Sequence, residues 1–98
     1  MNQLSLLETK AQLRFEEYHR ENPQVLKALI RLTDQAVARG HNRISIELIY
    51  NVLRWETMIS TIGDEYKLNN NYKSRYARMI EEVRPDLKGI FNMRELRS

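Results

Sequence analysis

Apolar residues recur with helical spacing in four stretches of this chain, and alternation long enough to found a sheet is absent from the sequence. The densest stretch is ISIELIYNVLRWETMI, from Ile44 to Ile59. On a helix of about 3.6 residues per turn, Ile46, Leu48, Ile49, Tyr50, Val52, Leu53, Trp55 and Ile59 cover well over half of the circumference, more than a one-sided surface helix needs. The pattern predicts a central helix with neighbours on several sides and Trp55 as a core anchor enclosed by the first, second and fourth helices. Ser45 suits the N-cap because its hydroxyl can accept from an amide two or three residues on, and Ile44 before it can close on Ile49 as a hydrophobic staple. Glu47 then sits in the first turn, where a carboxylate favours the helix dipole. Glu47, Asn51 and Arg54 share one polar sector, while Glu56 lies close to the apolar arc and needs a partner.

The other three helices follow from the same reading. A first helix is predicted from Ser5 to Glu21, with Leu4, Leu7, Ala11, Phe15 and Tyr18 on one stripe. Leu6 and Leu13 fall opposite it, as a second contact surface or as two exposed leucines. Asn22-Pro23 starts a second helix: Asn is a favoured N-cap, and Pro at the first helical position gives up an amide that would be unpaired anyway. That helix should place Val25, Leu29, Leu32 and Ala36 inward, with Lys27, Arg31 and Asp34 facing water, and run to Arg39 before Gly40 takes the left-handed C′ conformation. After Ile59, Gly63-Asp64 signals a turn, and Glu65 to Leu68 alternates as a short extended piece with Tyr66 and Leu68 inward. The asparagines at 69 to 71 then offer a turn and an N-cap for a fourth helix from Tyr72 to Val83, whose stripe is Tyr72, Tyr76, Met79, Ile80 and Val83. Pro85 stops it, because the residue before a proline avoids the helical region. Asp86 can cap a last short turn carrying Leu87, Ile90 and Phe91, with Met93 and Leu96 draped over the core. The expected fold class is all-α: a compact orthogonal bundle of four helices plus a short C-terminal segment, with room for a small extended hairpin before helix four, in a single domain spanning residues 1–98.

Composition narrows the function classes. The chain has 98 residues, 42% hydrophobic and 30% charged, outside the regime of disordered chains. The absence of cysteine removes disulfides, thiolate zinc sites and cysteine nucleophiles. No run approaches the roughly 18 apolar residues of a membrane span, and the N-terminus shows no basic leader, so a soluble cytoplasmic protein with no membrane partner is expected. The net charge of +3 is unevenly spread: residues 22 to 43 carry +3, residues 44 to 66 carry −3, and residues 67 to 84 return to +3.

That last segment, KLNNNYKSRYARMIEEV, holds the main candidate chemistry. If Tyr72, Tyr76, Ile80 and Val83 face the core, Arg75 and Arg78 project together from one flank, Lys73 and Arg84 from the other, and Ser74 stands between. Paired arginines on a helix opened by Asn amides suit phosphates. Lys67, Lys73, Arg75 and Arg78 are therefore the candidate nucleic-acid-binding residues. The competing reading is a solvated face on which Arg78 pairs with Glu82 one turn on, a weak surface contact. Glu16-Glu17-Tyr18-His19 contains one Glu-x-x-His, a spacing that di-iron bundles use in two copies. A single copy predicted to face solvent is no metal site, and His41 in the loop after Gly40 reads as a capping or surface histidine. Without a phosphate loop, a nucleophile motif or a shared carboxylate face, no catalytic residue and no cofactor is expected.

The runs KLNNNYKSRYARMI, RPDLKGIF, RELRS, FEEYHRENPQV and ISIELIYNVLRWE, which together cover most of the chain, resemble a group of small uncharacterised phage and prophage-associated proteins. The resemblance implies a bacterial host cytoplasm, often near DNA-processing genes, and names no site. Two functions are thus expected in competition. One is a non-enzymatic accessory protein binding nucleic acid through the basic face of the fourth helix. The other is a protein-interaction or assembly module, homodimeric or bound to another phage protein, acting through an apolar patch.

Overall fold

The computed structural model describes residues 3–60 and 68–91, with side chains placed from residue 6 onward. Four helices make up an all-α bundle: α1 (Gln3–Glu21), α2 (Pro23–Ala38), α3 (Ile46–Ser60) and α4 (Lys73–Val83). A 3₁₀ turn, Asn70–Tyr72, leads into α4, and a second, Pro85–Leu87, follows it. Helix α2 packs against each of the other three, and α3 packs against α4.

The helix boundaries are set by local chemistry. At the end of α2, Gly40 has φ +97°, and the amides of Gly40 and His41 donate to the carbonyls of Val37 and Ala36, so the last turn is closed by the αL cap that Gly permits. The Leu48 amide donates to Ser45 Oγ at 3.2 Å, and Ile44 and Ile49 on either side are both buried, as the cap and staple require. Asn69 accepts from the Asn71 amide at 2.9 Å and opens the turn into α4. Asn22 differs from expectation: its side chain caps no amide of α2 and instead donates back to the Tyr18 carbonyl at 3.0 Å, closing the end of α1. The Val25 amide is already satisfied by the Asn22 carbonyl, so the side chain is released for the preceding helix.

One core gathers Phe15 from α1, Val25, Leu29 and Leu32 from α2, Ile49, Tyr50 and Leu53 from α3, Tyr76, Ala77 and Ile80 from α4, and Ile44, Leu87, Ile90 and Phe91 from the flanking segments. Within it Phe15 meets the edge of Tyr76 at 4.8 Å, and Tyr50 donates its hydroxyl to the Asn69 carbonyl at 2.7 Å. The segment after α4 is fastened twice. Ile44 and Phe91 form a parallel bridge, with the Ile44 amide donating to the Ile90 carbonyl at 2.9 Å. The Glu81 carboxylate accepts from the amides of Gly89 at 3.0 Å and Phe91 at 3.3 Å.

Several side chains depart from the expected stripes. Trp55 is 59% exposed and anchors no core. The broad apolar arc of α3 is divided: one sector meets α2 and α4, and the other faces solvent. Val83, at the C-terminal end of α4, and Leu7, in the first turns of α1, are also exposed, beyond the reach of the neighbouring helices. Leu6 and Leu13 are exposed as the helical phase requires. Glu65, Tyr66 and Lys67 of the anticipated extended piece, and Met93 and Leu96 of the tail, lie outside the described residues. Leu68 is half-buried in the loop before α4.

Candidate functional site

Burial of Tyr76, Ala77 and Ile80 fixes the rotation of α4 and so decides where its cations go. Arg75 and Arg78 fall on the flank facing α1. Arg75 is half-buried and donates from Nη1 to Gln12 Oε1 at 2.6 Å, while Gln12 donates from Nε2 to Glu16 Oε2 at 3.0 Å. Arg78 is exposed and makes no hydrogen bond or ion pair among the described residues, and Glu82 one turn on does not close on it. The two arginines line one cleft of about 310 Å³ together with Gln12 and Phe15 of α1 and Met79 and Glu82 of α4. The guanidinium of Arg75 is thus held in place, and that of Arg78 is free to meet an anion.

The remaining cations point elsewhere. Lys73 lies on the opposite flank, against α3, where its Nζ is 3.5 Å from Glu47 Oε1. Lys67 lies outside the described residues. Arg84 reaches α2, donating to both oxygens of Asp34 at 2.9 and 3.0 Å, and also donates to Asp86 at 2.8 and 2.9 Å. These bonds, to Asp86 first and Asp34 second, hold the guanidinium well above its ordinary pKa, and the bond from Arg84 lowers the Asp86 carboxyl. Asp34, expected to face water, is occupied by this pair. Arg31 stays exposed, as expected, and supplies the partner Glu56 required, at 2.6 Å. Of the candidate set, the structure brings Arg75 and Arg78 together and separates Lys73 from them.

A second surface lies on the outer side of α3. Leu48, Val52, Trp55 and Ile59 are 60%, 36%, 59% and 63% exposed, and Met58 beside them is 59% exposed. Their spacing of four, three and four residues draws a narrow seam along one side of the helix, the side that the core leaves uncovered. No charge interrupts it. At its edge Glu56 is paired with Arg31, and Arg54, one sector away, is tied to its own chain by Asn51 at 2.6 Å, by Asn70, and by the Tyr50 ring 5.8 Å from its guanidinium carbon. The signal for this surface stands in the sequence as the four-three-four spacing, where it is indistinguishable from core. For Gln12 there is no such signal, since its partner Arg75 is far along the chain.

Glu16 and His19 do not form a site. Glu16 is engaged by Gln12, and His19, expected in solvent, is half-buried in the aromatic cluster, stacked on Phe15 at 6.3 Å and edge-on to Tyr76 at 6.0 Å. Among the described residues no group of three or more His, Asp or Glu side chains is placed to hold a metal ion, and no helix is long and apolar enough to cross a membrane. Comparison of the chain with protein-family models, with curated proteins and with solved structures returns no match.

Proposed function

We propose that this protein is a non-enzymatic assembly module that associates with further copies of itself through the outer face of α3. The observation that carries this reading is the uninterrupted apolar seam of Leu48, Val52, Trp55 and Ile59, left in solvent by a fold that has already filled its core. Large apolar side chains aligned on one exposed helix face mark interaction surfaces, because leaving them hydrated forfeits the free energy that burial would supply. Apolar association tolerates salt, which separates it from a charge-driven contact. The expected result in light scattering is a mass that rises with concentration equally at low and high salt, and a Trp55→Glu variant that stays monomeric while keeping the helical circular dichroism spectrum. A wild-type protein that remains monomeric into the millimolar range overturns the reading.

A second reading is favoured by a separate observation: Arg75 and Arg78 share one cleft, and Arg78 has no hydrogen bond or ion pair among the described residues. In this reading the cleft between α1 and α4 receives nucleic-acid phosphates through Arg75 and Arg78. Either role suits the bacterial cytoplasm and phage setting that the sequence resemblance implies. Each phosphate contact contributes about 0.9 to the log-log salt slope on duplex DNA, so Arg78→Ala should flatten that slope by about one unit. Replacing both arginines by Glu should abolish binding without unfolding the protein. No binding to mixed DNA and RNA oligonucleotides at about 50 mM salt, where phosphate contacts are strong, retires this reading.

A further inference from the structure

We infer that the occupant of the α3 seam is the α3 of one other copy running antiparallel, in a register that sets Val52 against Trp55 and Leu48 against Ile59, so that association closes at two. The inference rests on the assembly reading above and adds the geometry and the stoichiometry.

The seam residues themselves choose the orientation. Helices joined along such a stripe interleave in layers, and the layers must be filled evenly, since both cavities and overpacking are costly. A parallel in-register pair would put Trp55 on Trp55 in one layer and Val52 on Val52 in the next, overfilling the first and leaving a void in the second. Reversing one helix gives two equivalent central layers, each with a large indole against a small valine, flanked by two layers of leucine against isoleucine. The volumes then balance from end to end. The helix dipoles also oppose each other, which favours the antiparallel arrangement.

Charge and area agree with a second copy. Asn51 and Met58 flank the seam on one side and Glu56 on the other, and Glu56 is already neutralised by Arg31 of its own chain. In this register the two Glu56 fall on one flank, roughly 7 to 8 Å apart along the axis, and each brings its own Arg31. Five large side chains, each with over a third of its surface exposed, present on the order of 500 Å² per copy; the pair together approaches the roughly 1,000 Å² that a specific interface must clear. The contact uses the same patch on both copies about a twofold axis, so it is satisfied by one partner and builds no filament.

The absence of native cysteine makes the register directly testable by disulfide mapping. In the antiparallel pair residue 48 of one copy faces residue 59 of the other, whereas the two copies of residue 48 are separated by roughly 16 Å along the axis, beyond the Cβ separation of about 4 Å that a disulfide needs. Leu48→Cys and Ile59→Cys proteins, oxidised separately, should stay uncrosslinked; mixed and oxidised, they should give a covalent dimer of one chain of each. Light scattering on the unoxidised proteins and on the wild type runs alongside, and circular dichroism melts confirm that both variants fold. Disulfides within each variant alone, a dimeric mass with no disulfide in any combination, or a mass beyond two copies overturns the antiparallel pair while leaving self-association standing. A wild type that is monomeric throughout overturns both.

Discussion

Replacing Trp55 by Ala separates what the residue does for the fold from what it does for association. The residue keeps 59% of its surface in water within one copy, so a side chain of about 200–250 Å² has roughly 140 Å² left to bury against a partner. At about 25 cal/mol per Å², complete burial is worth about 3.5 kcal/mol per copy, and twice that for a symmetric pair. Taking half of this for incomplete enclosure leaves about 3.5 kcal/mol, a loss of at least a hundredfold in dimer affinity at about 1.4 kcal/mol per tenfold. The smaller part of the residue already covered within one copy contributes about 1.5 to 2 kcal/mol to folding once the compactness of the unfolded chain is allowed for. A tryptophan enclosed by the core would instead cost about 3 to 5 kcal/mol. Urea denaturation at a concentration low enough to populate the monomer, set beside sedimentation equilibrium across a concentration series, measures both quantities on the same variant. The expected outcome is a small shift in the urea midpoint with a large rise in the dissociation constant. A folding loss of 3 kcal/mol or more in the monomer, or an unchanged dissociation constant, would refute the reasoning.

Glu81→Ala removes the acceptor shared by the Gly89 and Phe91 amides, and should cost about 1.5 to 3 kcal/mol with faster hydrogen exchange at those two amides but not in α2. Gly40→Ala meets no neighbouring atom, so its cost is confined to the backbone at φ +97°; about 1 to 2 kcal/mol is expected in thermal denaturation. Asp86 is lowered by its bond from Arg84, so the stability it adds is present above the ordinary carboxylate pKa and is lost as pH falls through the depressed value. The wild type should therefore melt above Asp86→Asn from neutral pH down to the ordinary carboxylate range, and the two curves should converge only below it.

The punctuation of the fold was legible before any coordinates, because caps and breakers act within a few residues. Ser45, Gly40, the Asn69–Asn71 run and Pro85 each fix a boundary through bonds to near neighbours or a restricted φ. What lay beyond local chemistry was the identity of partners. Glu56 announced a need that only tertiary packing could assign to Arg31, and Arg75 found Gln12 far along the chain. Trp55 failed for a related reason. Helical periodicity reports which positions are apolar, but not whether this chain or another one covers them, so a double-faced helix and a deeply buried helix share one pattern. His19 shows the converse: a polar residue one turn after Phe15 was drawn under α4 by ring packing that periodicity does not register. The shared flank of Arg75 and Arg78 was legible from the stripe of Tyr76 and Ile80, whereas the ion pair that Lys73 makes with Glu47 of a different helix was not.

The bridge between Ile44 and Phe91 also bears on how the chain is made. The strip of backbone just ahead of α3 finds its partner only when residue 91 exists, and at about 5–20 residues per second the ribosome needs roughly 2 to 9 s to synthesise the interval. Until it ends, the core lacks Leu87, Ile90 and Phe91. The nascent chain thus carries two greasy surfaces at once, the unfinished interior and the outer side of α3. Chaperone occupancy during translation should be concentrated in this window and end when the closing segment emerges.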